Sequence, residues 1–194
     1  MHACAVRFAW FAGAALRAIP ATGNAAPQRY TVDVARSRVD FRIRYLGLFN
    51  PGGQFHGVTG TVVFDPLNWE TLEVLIRIPV DSLESGPSLW RSELLGPRFF
   101  DGGEYPTIEF GSTRTERTAY ATADIWGNLK LRSVTRPVLL KARIVPEADA
   151  AAVAVEAETL LQRSAFGLGA VLPFASDDVT IILHLRIVPI SDAH

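Results

Sequence analysis

With 194 residues, 48% of them hydrophobic and 20% charged, the chain is long enough to bury one sizeable core and too apolar to remain disordered. Its formal charge of −1 becomes −3 when residues 1–25, which carry Arg7 and Arg17 and no acid, are set aside, a balance that argues against nucleic acid as a partner. The single cysteine, Cys4, lies in that same stretch, so disulfide, zinc–thiolate and cysteine-nucleophile chemistry are excluded from the remainder.

Residues 1–26 read as a secretory signal peptide. Arg7 precedes an apolar run over residues 8–16, and the small residues Gly23, Ala25 and Ala26 place cleavage near Ala25 or Ala26. The expectation is therefore one exported domain, residues 27–194, periplasmic or secreted. The apolar run falls short of the roughly 20 residues that cross a bilayer, and no later segment reaches that length, so no integral membrane span is expected.

Beyond the leader, apolar and polar residues alternate with the period of strands that bury one face. Val39, Phe41, Ile43 and Tyr45 alternate with Asp40, Arg42 and Arg44. Comparable sets follow at Val58 to Phe64, Leu72 to Ile78, and Ile108 with Phe110. The next are Ala119 to Ile125 with Leu129 and Leu131, Val138 to Ile144, Val153 to Thr159, and Val179 to Ile187. Turn residues punctuate them at Asn50-Pro51-Gly52-Gly53, Asp65-Pro66, Trp126-Gly127-Asn128 and residues 146–150. Between Asp81 and Asp101 the rhythm changes: Leu83, Leu89, Trp90, Leu94 and Leu95, bounded by Pro87 and Pro97, predict a short helical excursion. Eight strands with short connections predict an all-β fold in which an antiparallel sheet hides its edges by closing into an eight-stranded β-barrel. Gly60, Ala142, Ala157 and Thr159 fall on inward faces, where small side chains leave room; large residues on facing strands are equally able to fill it.

Several segments, in order, resemble the YceI-like polyisoprenoid-binding family of bacteria. Tyr30-Thr31-Val32-Asp33, Ser37 and residues 39–47 resemble its opening strand; Phe55, Gly60, Phe64-Asp65 and Pro66 resemble the second. Asp81-Ser82-Leu83, Arg91, Leu94-Leu95 and Phe99-Phe100-Asp101 look like its helical segment, and residues 105–112 like the strand that follows. Residues 127–138, GNLKLRSVTRPV, are similar to the family's most recognisable hairpin, and residues 162–167 with Asp178-Val179 to its closing part. The chain departs from the pattern where Ser92 and Glu93 follow Arg91, where Lys130 replaces threonine, and where Ser133 replaces glycine.

The resemblance implies a lipocalin-like barrel whose apolar tunnel holds a long isoprenoid-chain lipid, such as a quinone or polyprenyl derivative, outside the cytoplasm and without a catalytic cofactor. It makes Phe41, Ile43, Tyr45, Val62, Phe64, Ile76, Phe110, Leu129, Leu140, Phe166 and Leu183 candidates for the tunnel wall, the other reading being plain core. Trp90, Arg91, Arg98, Phe99 and Phe100 become candidates for the mouth. Either guanidinium there could meet a head group or pair with Glu93 or Asp101, and Arg163 is expected to bond loop carbonyls.

Other chemistry finds little support in the sequence. His56, His184 and His194 are scattered and lack metal-site spacing. Gly167-Leu168-Gly169 lacks the third glycine of a dinucleotide loop, and no nucleophile-elbow motif occurs. Two alternatives remain: a lipid hydrolase or isomerase using Asp101 or Glu109 with Arg98, or a filled-core module serving an envelope partner. The chain is expected to act as a monomer or homodimer.

Overall fold

A computed structural model describes residues 27–65, 67–86, 88–147, 152–169 and 175–190. The predicted leader with Cys4, Pro66, Pro87, turn residues 148–150 and His194 lie outside the described residues, as does the side chain of Leu89.

Among the described residues there are eleven strands, three more than the eight that the alternation predicts. They are β1 (Gln28–Val32), β2 (Arg38–Tyr45), β3 (Gly52–Phe55), β4 (Thr59–Asp65), β5 (Asn68–Pro79), β6 (Leu83–Ser85), β7 (Thr107–Ala119), β8 (Thr122–Leu131), β9 (Val134–Val145), β10 (Val153–Gln162) and β11 (Ala175–Pro189). One α-helix, α1 (Ser88–Leu95), interrupts them. All ladders are antiparallel, and pairing of β1 with β11 closes the sheet.

Three of the barrel's staves are broken. β1 and β2 both run along β11, with Val32 opposite Ile187 and Arg38 opposite His184; a 3₁₀ turn at Val34–Arg36 separates them. β3 and β4 are divided at residues 56–58, where Gly57 takes φ 64°. β5 and β6 are divided by a 3₁₀ turn at Val80–Ser82. Each broken pair counts as one stave, so the fold is a closed, eight-stranded, up-and-down lipocalin-like barrel with one short helix, as predicted.

The break beside β11 is held by Arg186, a buried guanidinium that pairs with Asp33 at 2.9 Å and Glu147 at 2.8 Å. Its backbone N–H donates to Ser37 Oγ at 3.0 Å. A buried charge is tolerated only when paired and hydrogen-bonded, and here the pairing pins the point where β1 gives way to β2.

Three predicted boundaries move. The turn expected at Asn50-Pro51-Gly52-Gly53 lies earlier, at residues 45–48, and Gly52 and Gly53 open β3, paired with Arg42 and Phe41. Trp126-Gly127-Asn128 is no turn but the middle of β8; the reversal lies earlier, at Tyr120-Ala121, with Ala119 opposite Thr122. Gly127 is there for packing: a Cβ on it would lie 2.4 Å from the Phe110 ring. The helical excursion contracts to Ser88–Leu95, because Leu83, Glu84 and Ser85 join the sheet through β3.

Candidate functional site: an apolar cavity beneath the helix

The three breaks let β2, β3 and β6 diverge from the other staves. β6 is only three residues long and pairs with β3 alone, whereas β7 begins at Thr107, opposite Pro79. The gap between β6 and β7 is covered by α1 and the turns that follow it. Arg91 fixes the helix there, its Nε donating to the Leu83 carbonyl and its Nη2 to the Asp81 carbonyl, both at 2.7 Å. Beyond the helix, Asp101 adopts φ 50°, Phe100 N–H donates to the Leu94 carbonyl, and Gly102 N–H to that of Leu95. That fold-back sets Phe99 and Phe100 facing inward.

Beneath this cover lies a cavity of about 490 Å³. Val39, Phe41 and Ile43 of β2 form one wall with Phe55 of β3; Ile78, Ile108, Leu129 and Leu131 form the opposite one. Leu161, Phe166, Leu168, Val179 and Ile181 complete the circuit, and Trp90, Leu94, Phe99 and Phe100 roof it. Phe41, Phe55 and Phe100 cluster with centroids 5.3–6.1 Å apart, the Phe55–Phe100 pair edge to face at 89°. Gly52, Gly86 and Trp90 are lining residues exposed to solvent, and they mark the mouth.

Apart from the indole of Trp90, only two side chains of the lining among the described residues, Ser85 and Arg163, are polar. Arg163 is already engaged: it donates to the carbonyls of Ser176 at 3.0 Å, Leu168 at 3.2 Å and Gly169, fastening the turn after β10 to β11. Ser85 is not. Its Oγ is buried and has no hydrogen-bond partner. An unpaired buried hydroxyl ordinarily costs about 1–3 kcal/mol, and of the buried side-chain atoms left without a partner among the described residues, Ser85 Oγ is the one on the cavity wall.

The lining stops at one level around the barrel. Ile181, Ile78 and Ile108 face the cavity; Leu183, Ile76 and Phe110, each one inward position further along, are packed core. At that level the Phe110 ring covers Gly127, and Ile76 Cδ1 sits 2.8 Å from where a Cβ on Gly60 would stand. Gly60 therefore leaves no free room. Ala142, Ala157 and Thr159 do not line the cavity either, the two alanines being buried in the packed half.

The sequence profile of the YceI-like domain matches residues 30–187. The chain belongs to the YceI-like family. Protein YceI of Salmonella arizonae is 29% identical over 171 residues, covering 85% of this chain and 89% of that protein. A UPF0312 protein of Azotobacter vinelandii is 29% identical over 175 residues, 87% of this chain and 91% of the relative. Among solved structures, Burkholderia cenocepacia BcnA superposes with a TM-score of 0.74 at 23% identity, over 80% of this chain and 98% of BcnA. A polyisoprenoid binding domain from Saccharophagus degradans superposes with a TM-score of 0.65 at 14% identity, over 83% and 98% of the two chains. At those identities the structures speak for the fold.

In this YceI-like barrel, Phe41, Ile43, Leu129 and Phe166 of the proposed wall line the cavity, as do Trp90, Phe99 and Phe100 of the proposed mouth. Val62, Ile76, Phe110, Leu140 and Leu183 lie instead in the packed half. Phe64 packs edge to face on Trp69 at 5.1 Å, and Tyr45 bridges to Phe49 at the start of the β2–β3 hairpin. Neither Arg91 nor Arg98 lines the cavity: Arg91 holds backbone carbonyls rather than Glu93 or Asp101, and Arg98 pairs with Glu93. The residues proposed for an enzymatic reading do not converge. Asp101 faces Arg132 at 3.7 Å, while Glu109 meets Arg77 at 3.3 Å and Lys130 at 3.7 Å.

Sequence reasoning missed Val39, Phe55, Ile78, Ile108, Leu131, Leu161 and Ile181 as wall residues. Five of them stand two positions from a nominated residue on the same face, so the signal was present as alternation without height. Ser85 carried no signal at all, since a serine at a strand end is ordinary. The two histidines described sit elsewhere: His184 lies 3.3 Å from Asp40 and 3.5 Å from Glu156, and His56 lies 3.3 Å from Glu84. The hydrogen bond from Arg143, with lesser help from the charges of Arg143 and His184, holds the Glu156 carboxyl below its ordinary range.

Proposed function

We propose that this protein binds a lipid with an isoprenoid tail, sheltering the tail beneath α1 and leaving the head group at the mouth. The observation that carries this reading is the cavity: about 490 Å³, walled by branched aliphatic and aromatic side chains, with the buried Ser85 Oγ unpartnered among the described residues. Each methylene removed from water there contributes about 0.8 kcal/mol, so affinity needs no charged anchor. The name of the Saccharophagus degradans domain, which shares this fold, supports the same ligand class.

The volume gives the tail a size. It is large enough for a tail of a few five-carbon units, with any longer chain left to emerge at the mouth. A quinone or prenyl alcohol would set an oxygen near Ser85 Oγ, which is able to donate a hydrogen bond to it. With the leader read as a secretory signal, the protein would act as a carrier in the periplasm.

Native mass spectrometry of unextracted protein, followed by solvent extraction, tests the reading. The expected result is a mass above that of the mature polypeptide which extraction removes and a short-tailed prenyl quinone restores. An unliganded mass throughout, with no shift on adding prenyl quinone or polyprenol, overturns it.

A further inference from the structure

The hairpin between β2 and β3 breaks two local rules at once. Tyr45 bridges Phe49, and the Leu48 N–H donates to the Tyr45 carbonyl at 3.2 Å, which makes residues 45–48 a tight turn. Leu46 and Gly47 both occupy the left-handed region, at φ 54° and 69°. Such a turn favours asparagine or aspartate before the glycine, because their short polar side chains tolerate that backbone, whereas leucine there is strained. The tip is also apolar where solvent-facing turns are polar: Leu48 is 82% exposed, Phe49 60% and Leu46 50%. Nothing in the fold repays either departure.

Position supplies a reason. The stem of this hairpin is the cavity wall, with Phe41 and Ile43 on one strand and Pro51 and Gly52 on the other. Across the mouth Trp90 is itself 51% exposed. On the outer side of the stem, Arg42 and Arg44 are exposed and make neither ion pair nor side-chain hydrogen bond among the described residues. Apolar side chains at a tip, a rim indole and free guanidiniums one turn behind are what a bilayer interface accommodates: leucine and phenylalanine in the acyl boundary, tryptophan at headgroup level, arginine on anionic phosphates.

We propose that the β2–β3 hairpin docks the barrel on an anionic lipid bilayer with the cavity mouth facing the membrane. A tail could then pass between bilayer and cavity with little exposure to water. This role rests on the lipid-carrier reading, yet it is measured separately, because docking requires only the hairpin.

The test is co-sedimentation of the mature protein with vesicles of phosphatidylcholine alone and of phosphatidylcholine mixed with phosphatidylglycerol. Binding is expected on the mixed vesicles and more weakly on the neutral ones. The double variant Leu48→Ser/Phe49→Ser should lose about tenfold or more on both, since each residue is worth more than a factor of ten when fully buried. Arg42→Gln/Arg44→Gln should lose several-fold on the mixed vesicles only. Both variants should keep the wild-type thermal midpoint and capacity for prenyl quinone in vesicle-free solution. Wild-type protein that sediments with neither vesicle overturns the proposal, as does a hairpin-dependent dimer in analytical ultracentrifugation without vesicle binding. In either case retained quinone binding leaves the carrier reading standing. Loss of quinone binding with vesicle docking intact would sink the carrier reading instead.

Discussion

The two halves of this barrel use the same staves and the same alternation, yet one is packed and the other hollow. In the packed half, β1, β4 and β5 stay paired with their neighbours, and Val62, Ile76, Phe110, Leu140 and Leu183 share one packed cluster. In the hollow half, three successive staves have been interrupted, and their continuations β2, β3 and β6 swing away until β6 runs out after three residues. Small side chains do not make the space. The glycines of the packed half, Gly60 and Gly127, are each overlain by a large neighbour, so they serve close packing. Room comes from displacement of the backbone, and α1 with Phe99 and Phe100 roofs what the sheet no longer closes.

This contrast is open to attack most directly at Phe110. Phe110→Ala should cost about 3–5 kcal/mol of stability, the range for deleting a phenylalanine from a packed core, read from urea unfolding. It should also extend the cavity toward β4 and β5. A series of prenyl quinones of increasing tail length should gain affinity only up to a limiting length in the wild type, because further units protrude into water; in Phe110→Ala the plateau should move to longer tails. Affinity that climbs unabated with tail length in the wild type would show that the packed half yields to a guest.

The next test exploits the Phe110–Gly127 contact. Gly127→Ala puts a Cβ 2.4 Å from the ring and 2.5 Å from the Gly111 carbonyl, so a loss of about 1–3 kcal/mol is expected. Repeating it in the Phe110→Ala background should recover part of that loss, since the ring is then absent; strict additivity would mean that the ring does not occupy the glycine's space. In the hollow half the same kind of truncation should matter less. Leu129→Ala is expected to cost about 1–2 kcal/mol, below the 2–5 of a fully packed leucine, because the cavity already deprives its side chain of contacts.

The face of each strand was legible in the sequence, and its height along the barrel was not. Alternation has a period of two and fixes which residues point inward, so Phe41, Ile43 and Leu129 were placed on the wall by the same rule that put Ile76, Phe110 and Leu183 there. Separating the groups depends on where staves break. The breaks at Val34–Arg36, residues 56–58 and Val80–Ser82 arise from pairing between distant strands, which no local pattern records. Gly127 misled for a related reason: beside Trp126 and Asn128 it reads as a turn, and only the Phe110 ring, seventeen positions earlier, accounts for it. Arg163 was legible because a guanidinium that follows a long strand into a loop has the loop's carbonyls as natural acceptors.

Ser85→Ala separates guest recognition from folding. Removing an unpaired buried hydroxyl should leave stability within about 0.5 kcal/mol or raise it, whereas a functional hydrogen bond to a guest should make the variant bind a prenyl quinone less tightly and a plain hydrocarbon of equal length no differently. Equal loss for both guests would assign Ser85 to the wall's shape alone.

The smallest effect concerns the junction beside the cavity, where Asp177 on β11 accepts hydrogen bonds from the Ser164 hydroxyl at 2.6 Å and from its backbone N–H at 2.9 Å. Those bonds, aided by the charge of Arg163, hold the Asp177 carboxyl below its ordinary range. Because the folded state lowers this pKa, the stabilisation is complete above the unfolded value of about 3.9 and fades as pH falls through the lower folded one. Asp177→Asn should therefore remove that part of the acid sensitivity, flattening the thermal midpoint below about pH 4 relative to the wild type, with Ser164→Ala giving the same flattening in weaker form. An unchanged acid limb in both variants would place the acid sensitivity elsewhere in the barrel, with the Glu156 carboxyl beside Arg143 and His184 in the packed half as the next group to remove.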